Sequence, residues 1–186
     1  PMGRRIEEAG ITVHTLKMRK GAPEFGAALK LRFMANLYRP DVVQCWMYHA
    51  NLLGMTLLYS RRVLWNIRCS DMDLSRYGNL YRLTVMAGAR LSGMPAAIIT
   101  NSAAGRIAHE RIGYRPKRWI TIPNGFDTDL FKPDPQARPA MRAKLRIPQE
   151  AFVIGLIGRL DPMKDHATFF SAASAFLAGH PGTHFI

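Results

Sequence analysis

The sequence predicts an α/β fold built on parallel β-sheet, and three observations predict it. Short apolar, β-branched runs alternate along the chain with longer stretches of helical periodicity. The strand-like runs are near-continuously apolar, as in sheets covered on both faces. The segment Phe152 to His166, FVIGLIGRLDPMKDH, is an apolar run cut by Gly155 and Gly158, then a tight turn, then a helix start at Asp165.

The strands are expected, in order, at Ile11–Leu16, Asp41–Trp46, Val63–Arg68, Ala96–Thr100, Trp119–Ile122, Phe152–Ile157 and Thr183–Ile186. Helices are expected at Glu24–Tyr38, His49–Ser60, Asn79–Leu91, Ser102–Ile112, Pro139–Leu145 and His166–Ala178, with a helix tail over Arg4 to Ala9. Leu80, Leu83, Ala87 and Leu91 share one face, as do Phe169, Ala173, Phe176 and Leu177, and both stripes read as core. In the short helix near residue 140, Met141 and Leu145 are expected to point inward. Arg138, Arg142 and Arg146 then form a solvated basic side. Ser102 and Asp165 read as N-caps. Gly113, Gly125, Gly179, Gly182 and Pro148 punctuate element ends. The stretch from Pro123 to Pro148 is loop-rich and reads as an interdomain linker. Asn124-Gly125 tolerates positive φ and turns the chain there.

At 186 residues with 48% hydrophobic content, the chain can bury a proper core in one large or two small domains. Its ends read as those of a fragment, starting inside a helix tail and stopping mid-strand. Cys45 and Cys69 lie far apart, in or beside expected strands, and read as reduced core thiols, which favours the cytosol. No run approaches the ~18 apolar residues of a membrane span. Charge is lopsided. Residues 1–125 hold 19 Lys and Arg against 7 Asp and Glu, and residues 126–186 hold 7 against 6, a net of +12 and of +1. Such a field concentrates anionic partners: lipid headgroups, phosphorylated acceptors or nucleic acid.

Ligands of open α/β sheets bind just past the carboxyl ends of strands. Arg159 and Lys164 follow such an end beside a helix start, where a guanidinium and an ammonium suit a phosphate or diphosphate. Upstream, Ile122-Pro123-Asn124-Gly125-Phe126-Asp127 is followed by Phe131 and Pro133. In this order and spacing, that segment and Gly158-Arg159-x4-Lys164 resemble the junction between the two halves of a retaining glycosyltransferase of family four, which has the GT-B fold. The resemblance runs from about Ile11 to the end and is sharpest from Ile120 to His166.

That resemblance implies two Rossmann-like parallel-sheet domains, both incomplete: an acceptor-side domain over 1–125, a linker and lead-in over 126–150, and the start of a nucleotide-sugar domain over 151–186. It implies transfer of a sugar from a nucleotide sugar to an acceptor hydroxyl with retention, and Gly158, Arg159 and Lys164 at the donor diphosphate without a metal. The acceptor is expected to be a glycan or lipid-linked hydroxyl. The expected place is the cytoplasm, with peripheral contact at an anionic membrane. The family's glycine-rich turn would precede Pro1 and its paired glutamates would follow Ile186, so this chain alone is expected not to turn over substrate.

Three further positions follow strand ends. His49 is a candidate acceptor-side hydrogen-bond partner or base. Arg68 and Asp71, in a loop that turns polar after an expected strand, are candidates for holding acceptor or sugar hydroxyls. Many family members carry a histidine near this position, where Cys69 or a neighbour stands here, so no catalytic histidine is assigned there. Asn101 and Ser102 match a recurrent Asn-Ser of the family and are candidates to line the cleft. No phosphate-loop, dinucleotide, zinc-hydrolase or serine-hydrolase motif is present. A basic α/β nucleic-acid-binding domain, suggested by the pI of about 10.4, and a non-catalytic remnant are the alternatives. No nucleic acid is expected, because the cations are scattered without a basic-aromatic platform.

Overall fold

In the computed structural model, residues 2–18, 25–57, 62–70, 72–161 and 164–186 are described. The chain divides into two compact units, Pro1–Gly125 and Phe126–Ile186. The first contains α1 (Met2–Glu8), α2 (Phe25–Tyr38), β1 (Val42–Trp46), α3 (Met47–Gly54), β2 (Arg62–Ile67), α4 (Asn79–Leu91), β3 (Ala97–Thr100), α5 (Ala103–Arg111) and β4 (Trp119–Thr121). The second contains α6 (Ala137–Leu145), β5 (Val153–Ile154), α7 (His166–Gly179) and β6 (His184–Phe185).

Strands β1 to β4 form one parallel sheet in the order β1-β2-β3-β4. This is a Rossmann-like α/β sheet, and its parallel pairing requires the crossover helices that the alternating sequence supplies. Burial follows the sequence. Val63, Trp65 and Ile67 of β2, all four residues of β3, and Val85 of α4 are buried, joined by Tyr48, Leu57 and Tyr114. Close approach is needed where α3 meets β1. A Cβ added at Gly54 would overlap the Cys45 sulfur, so only glycine fits. Burial pushes the Cys45 thiol up to about 11, which leaves it an inert packing group. In the second unit, β5 pairs in parallel with β6, a sheet of two strands.

Several expectations are corrected. Residues Ile11–Leu16 form no strand but an unpaired coil, tied to α2 by Lys30 Nζ donating to the Thr15 carbonyl at 2.8 Å. Helix α4 has the expected bounds but buries Thr84, Val85 and Gly88, leaving Leu80 and Leu83 exposed. The reason is steric: Gly88 sits against the Tyr114 hydroxyl, which donates to the Val85 carbonyl at 3.2 Å. In α6, Met141 and Leu145 are exposed, and the buried side chain is Arg142. Its guanidinium donates to the carbonyls of Pro148 at 2.6 Å and Ala151 at 3.0 Å, closing the loop that leads to β5. Of the stripe on α7, Ala173 is buried and Leu177 is 38% exposed. The strand over Phe152–Ile157 shortens to Val153–Ile154. Asp165 and Ser102 do cap α7 and α5, accepting from the amides of Thr168 and Gly105. Glu24, the end of the helix expected to reach Ser60, and Pro162 and Met163 lie outside the described residues.

Gly54→Ala is expected to destabilise the fold by roughly 1–3 kcal/mol through overpacking. Urea denaturation checks it. Adding Cys45→Ala removes the obstructing sulfur, so part of the loss should return; a Gly54→Ala variant as stable as the parent would contradict the close approach.

Candidate functional site

Parallel pairing brings the carboxyl ends of β1 to β4 to one edge of the sheet, and the polar residues of the first unit's motifs gather there. Three groups form. Arg68, just past β2, donates through Nη2 to the side-chain oxygen of Asn124, past β4. Its guanidinium also lies 5.3 Å from the ring centroid of Trp46, at the end of β1, in a cation–π contact. One arginine thus joins the ends of three strands.

The second group surrounds the start of α5. A Cβ at Gly105 would stand 3.2 Å from Ser102 Oγ, 3.3 Å from the Cys69 carbonyl and 3.9 Å from Asn101 Oδ1. Glycine there lets the Cys69 backbone close on the helix N-terminus, whose amide at Gly105 is held by Ser102 Oγ at 3.0 Å. The third group is aromatic. The His49 ring lies 6.2 Å from that of Tyr81, which stacks at 4.5 Å on Tyr77 and meets Tyr48 edge-on at 5.6 Å. Burial, with Cys69 nearby, pushes the Tyr81 hydroxyl up to about 12.

His49 owes its place to a sharp turn. Met47 takes φ 67°, a strained value for a side-chain-bearing residue, between β1 and α3. The buried Asn51 holds it: with its amide nitrogen turned inward, Asn51 donates to the carbonyls of Cys45 at 3.0 Å and Met47 at 3.2 Å. Beneath α3, Tyr48 and His109 are both buried and bonded at 2.8 Å. His109 Nδ1 lies 2.7 Å from the Gly105 carbonyl and donates to it, so Nε2 accepts from the Tyr48 hydroxyl in the neutral imidazole. This pair links α3 to the base of α5, under the aromatic group.

In the second unit, Gly158, Arg159 and Lys164 follow β5 on one loop. Lys164 lies across Gly158, with its Cγ 3.5 Å from where a Cβ would be. Its amide donates to the Asp161 carbonyl at 2.9 Å, and His166 Nε2 donates to the Arg159 carbonyl at 2.8 Å. The Arg159 side chain is 81% exposed and its guanidinium is 4.0 Å from Asp161 Oδ2. Both cationic heads therefore face solvent from a loop pinned at its two ends. Asp71 lies outside the described residues.

Sequence reasoning missed Asn51, the bonding role of Asn124, Gly105 and Asn66. Asn66, at the end of β2, is buried with Oδ1 unpartnered. Only Gly105, three residues after the Ser102 cap, left a readable signal. Among the described residues no group of three His, Cys, Asp or Glu side chains comes together, and no helix is long and apolar enough to cross a membrane.

The sheet and its loaded carboxyl edge are those of a Rossmann-like α/β protein, and the solved structures it resembles are GT-B glycosyltransferases. HepE of Anabaena, solved with UDP and glucose, matches with a TM-score of 0.69 at 17% identity, covering 98% of this chain and 57% of its own. Sucrose-phosphate synthase of Thermosynechococcus elongatus matches at 0.68 with 16% identity, covering 86% of this chain and 40% of its own. The chain belongs to glycosyltransferase family 4: the sequence model described as Glycosyltransferase Family 4 matches residues 3–130. Among curated relatives, the D-inositol 3-phosphate glycosyltransferase of Acidothermus cellulolyticus is 34% identical over 86 residues, 46% of this chain and 19% of the relative. That of Geodermatophilus obscurus is 32% identical over 85 residues, covering 45% and 18%. The match thus spans about a fifth of the curated relatives' length.

Burial holds the His109 pKa below its ordinary value of 6.5. Above that value both states carry neutral imidazole and the stabilisation is complete. Below it the unfolded chain takes up a proton that the native one refuses, so stability falls with pH. Urea midpoints at neutral and mildly acidic pH should therefore fall more steeply for the parent than for His109→Gln. Equal slopes would contradict the buried neutral imidazole.

Proposed function

We propose that this chain is part of an enzyme that moves a hexose from a nucleoside-diphosphate sugar to an acceptor hydroxyl, retaining the anomeric configuration. The observation that carries it is the loop after β5, where Arg159 and Lys164 project from a backbone pinned by the Asp161 and Arg159 carbonyls. Cleavage of the donor leaves a diphosphate with growing negative charge. Fixed cations that meet this charge favour the transition state over the ground state. Gly158 gives the diphosphate access to the backbone, and the two cations supply the charge without a metal. The HepE structures contain UDP and UDP-glucose, which supports a uridine diphosphate sugar as donor.

In this reading residues 1–125 form the acceptor-side domain, 126–150 lead out of it, and 151–186 begin a second Rossmann-like domain for the nucleotide sugar. Arg68 and Asp71 hold acceptor or sugar hydroxyls, and Asn101 and Ser102 present a capped helix start to the ligand. His49 is the acceptor-side base or hydrogen-bond partner. The excess of cations in residues 1–125 favours an anionic acceptor, in keeping with the phosphorylated inositol in the relatives' name. A reduced, cytoplasmic setting suits Cys45 and Cys69, neither of which is in a disulfide.

Because the chain matches 57% of the HepE chain, donor binding is the measurement suited to it. UDP-glucose and UDP titrated by calorimetry should bind, with affinity unchanged by EDTA. Arg159→Ala and Lys164→Ala should each weaken binding about tenfold to a hundredfold, the worth of a hydrogen bond to a charged group. Unchanged affinity in both variants would remove the assignment, and loss of binding in EDTA would remove its metal-free part.

A further inference from the structure

The loop between β5 and α7 is not held by its apolar side chains. Ile157 is 96% exposed, Leu160 is 92% exposed and the Arg159 side chain is 81% exposed. A loop with such residues in water owes its shape to hydrogen bonds and backbone geometry. Two contacts close this one. Lys164 lies back across Gly158, and His166 Nε2 donates to the Arg159 carbonyl at 2.8 Å. A carbonyl can only accept, so the imidazole proton sits on Nε2.

Asp165, between Lys164 and His166, takes φ 49°, a left-handed value that a side-chain-bearing residue seldom adopts. Its carboxylate compensates by capping α7, accepting from the Thr168 amide at 3.3 Å, and its carbonyl accepts from the Phe169 amide at 3.2 Å. The bend lets its two neighbours reach back across the loop, one to Gly158 and the other to Arg159. His166 is the first residue of α7, so its short, stiff ring ties the Arg159 backbone to a helix of 14 residues. The Arg159 guanidinium is 4.0 Å from Asp161 Oδ2 and exposed, and such a pair does little to fix it. The imidazole bond is what sets the main chain of Arg159 relative to Lys164.

We propose that His166 is a positioning residue that gives this loop its preference for a diphosphate over a monophosphate. A single phosphate can be met by either cation wherever its head swings. Two linked phosphates need both heads at one separation, and a loop already held there loses less freedom on binding. The inference rests on the diphosphate reading of Arg159 and Lys164, and adds the group that holds their spacing.

UDP and UMP titrated by calorimetry into the parent, His166→Phe and His166→Gln test it. The first variant keeps a ring without the donor, and the second keeps a donor. His166→Phe should weaken UDP about fivefold to tenfold and UMP less than about twofold, a loss within the range of coupling between neighbouring groups. His166→Gln should recover most of the UDP affinity. Added to Arg159→Ala, His166→Phe should cost nothing further, because it acts through Arg159. Parental UDP affinity in His166→Phe, equal losses for UDP and UMP, no recovery in His166→Gln, or a further loss on top of Arg159→Ala would each overturn the proposal. Unchanged UDP affinity in both Arg159→Ala and Lys164→Ala would instead sink the diphosphate reading, and the role of His166 with it.

Discussion

Parallel pairing of β1 to β4 is the constraint from which the rest of the first unit follows. It sends every strand's carboxyl end to one edge, so residues far apart in sequence become neighbours without any local motif announcing it. Arg68 is the clearest case. It reaches Asn124, 56 residues away, and lies over Trp46, so a single guanidinium fastens three strand ends. The segment that leads on toward the second unit is thereby anchored to the middle of the sheet. An arginine suits this place because its planar head bonds at its edge while its face meets an aromatic ring.

The edge is supported from below. The strained backbone at Met47 persists because Asn51 binds the carbonyls on either side of it. Tyr48 and His109 join the helices that carry His49 and the Ser102 cap. Their bond is buried, and leaving either partner unpaired costs more than making the bond gains. The polar layer therefore fixes how α3 and α5 sit on the sheet, and with them the groups that reach solvent at its edge. Positive charge, by contrast, is spread over the unit's surface.

Much of the fold was legible. The bounds of α4 match the sequence reading, and so does the start of α7, which the Asp165 carboxylate caps. Strands β1 to β4 were legible as apolar runs of the right length. Which face of a helix is buried was not. In α4 the leucine row lost to a face of small residues, because the Tyr114 ring lies on Gly88. In α6 periodicity assigned Arg142 to solvent, whereas two backbone carbonyls of the following loop hold it inside. Ile11–Leu16 has a strand's composition, yet no ladder forms along it. Among the candidate residues, Asn101 and Ser102 in the first unit and Arg159 and Lys164 in the second were visible as motifs. Asn51 and the bonding role of Asn124 were not, since an asparagine's partners are set by tertiary contacts that no local pattern records.

In the proposed function, strand carboxyl ends bear the ligand and the loop after β5 receives the diphosphate. Hydrogen exchange of the protein with and without saturating UDP tests this most directly, because it reports protection segment by segment. Slowed exchange over residues 155–168, with α2 unchanged, is the expected result. Unchanged exchange in that loop, with protection appearing instead on α2 or at the amino ends of the strands, would contradict it.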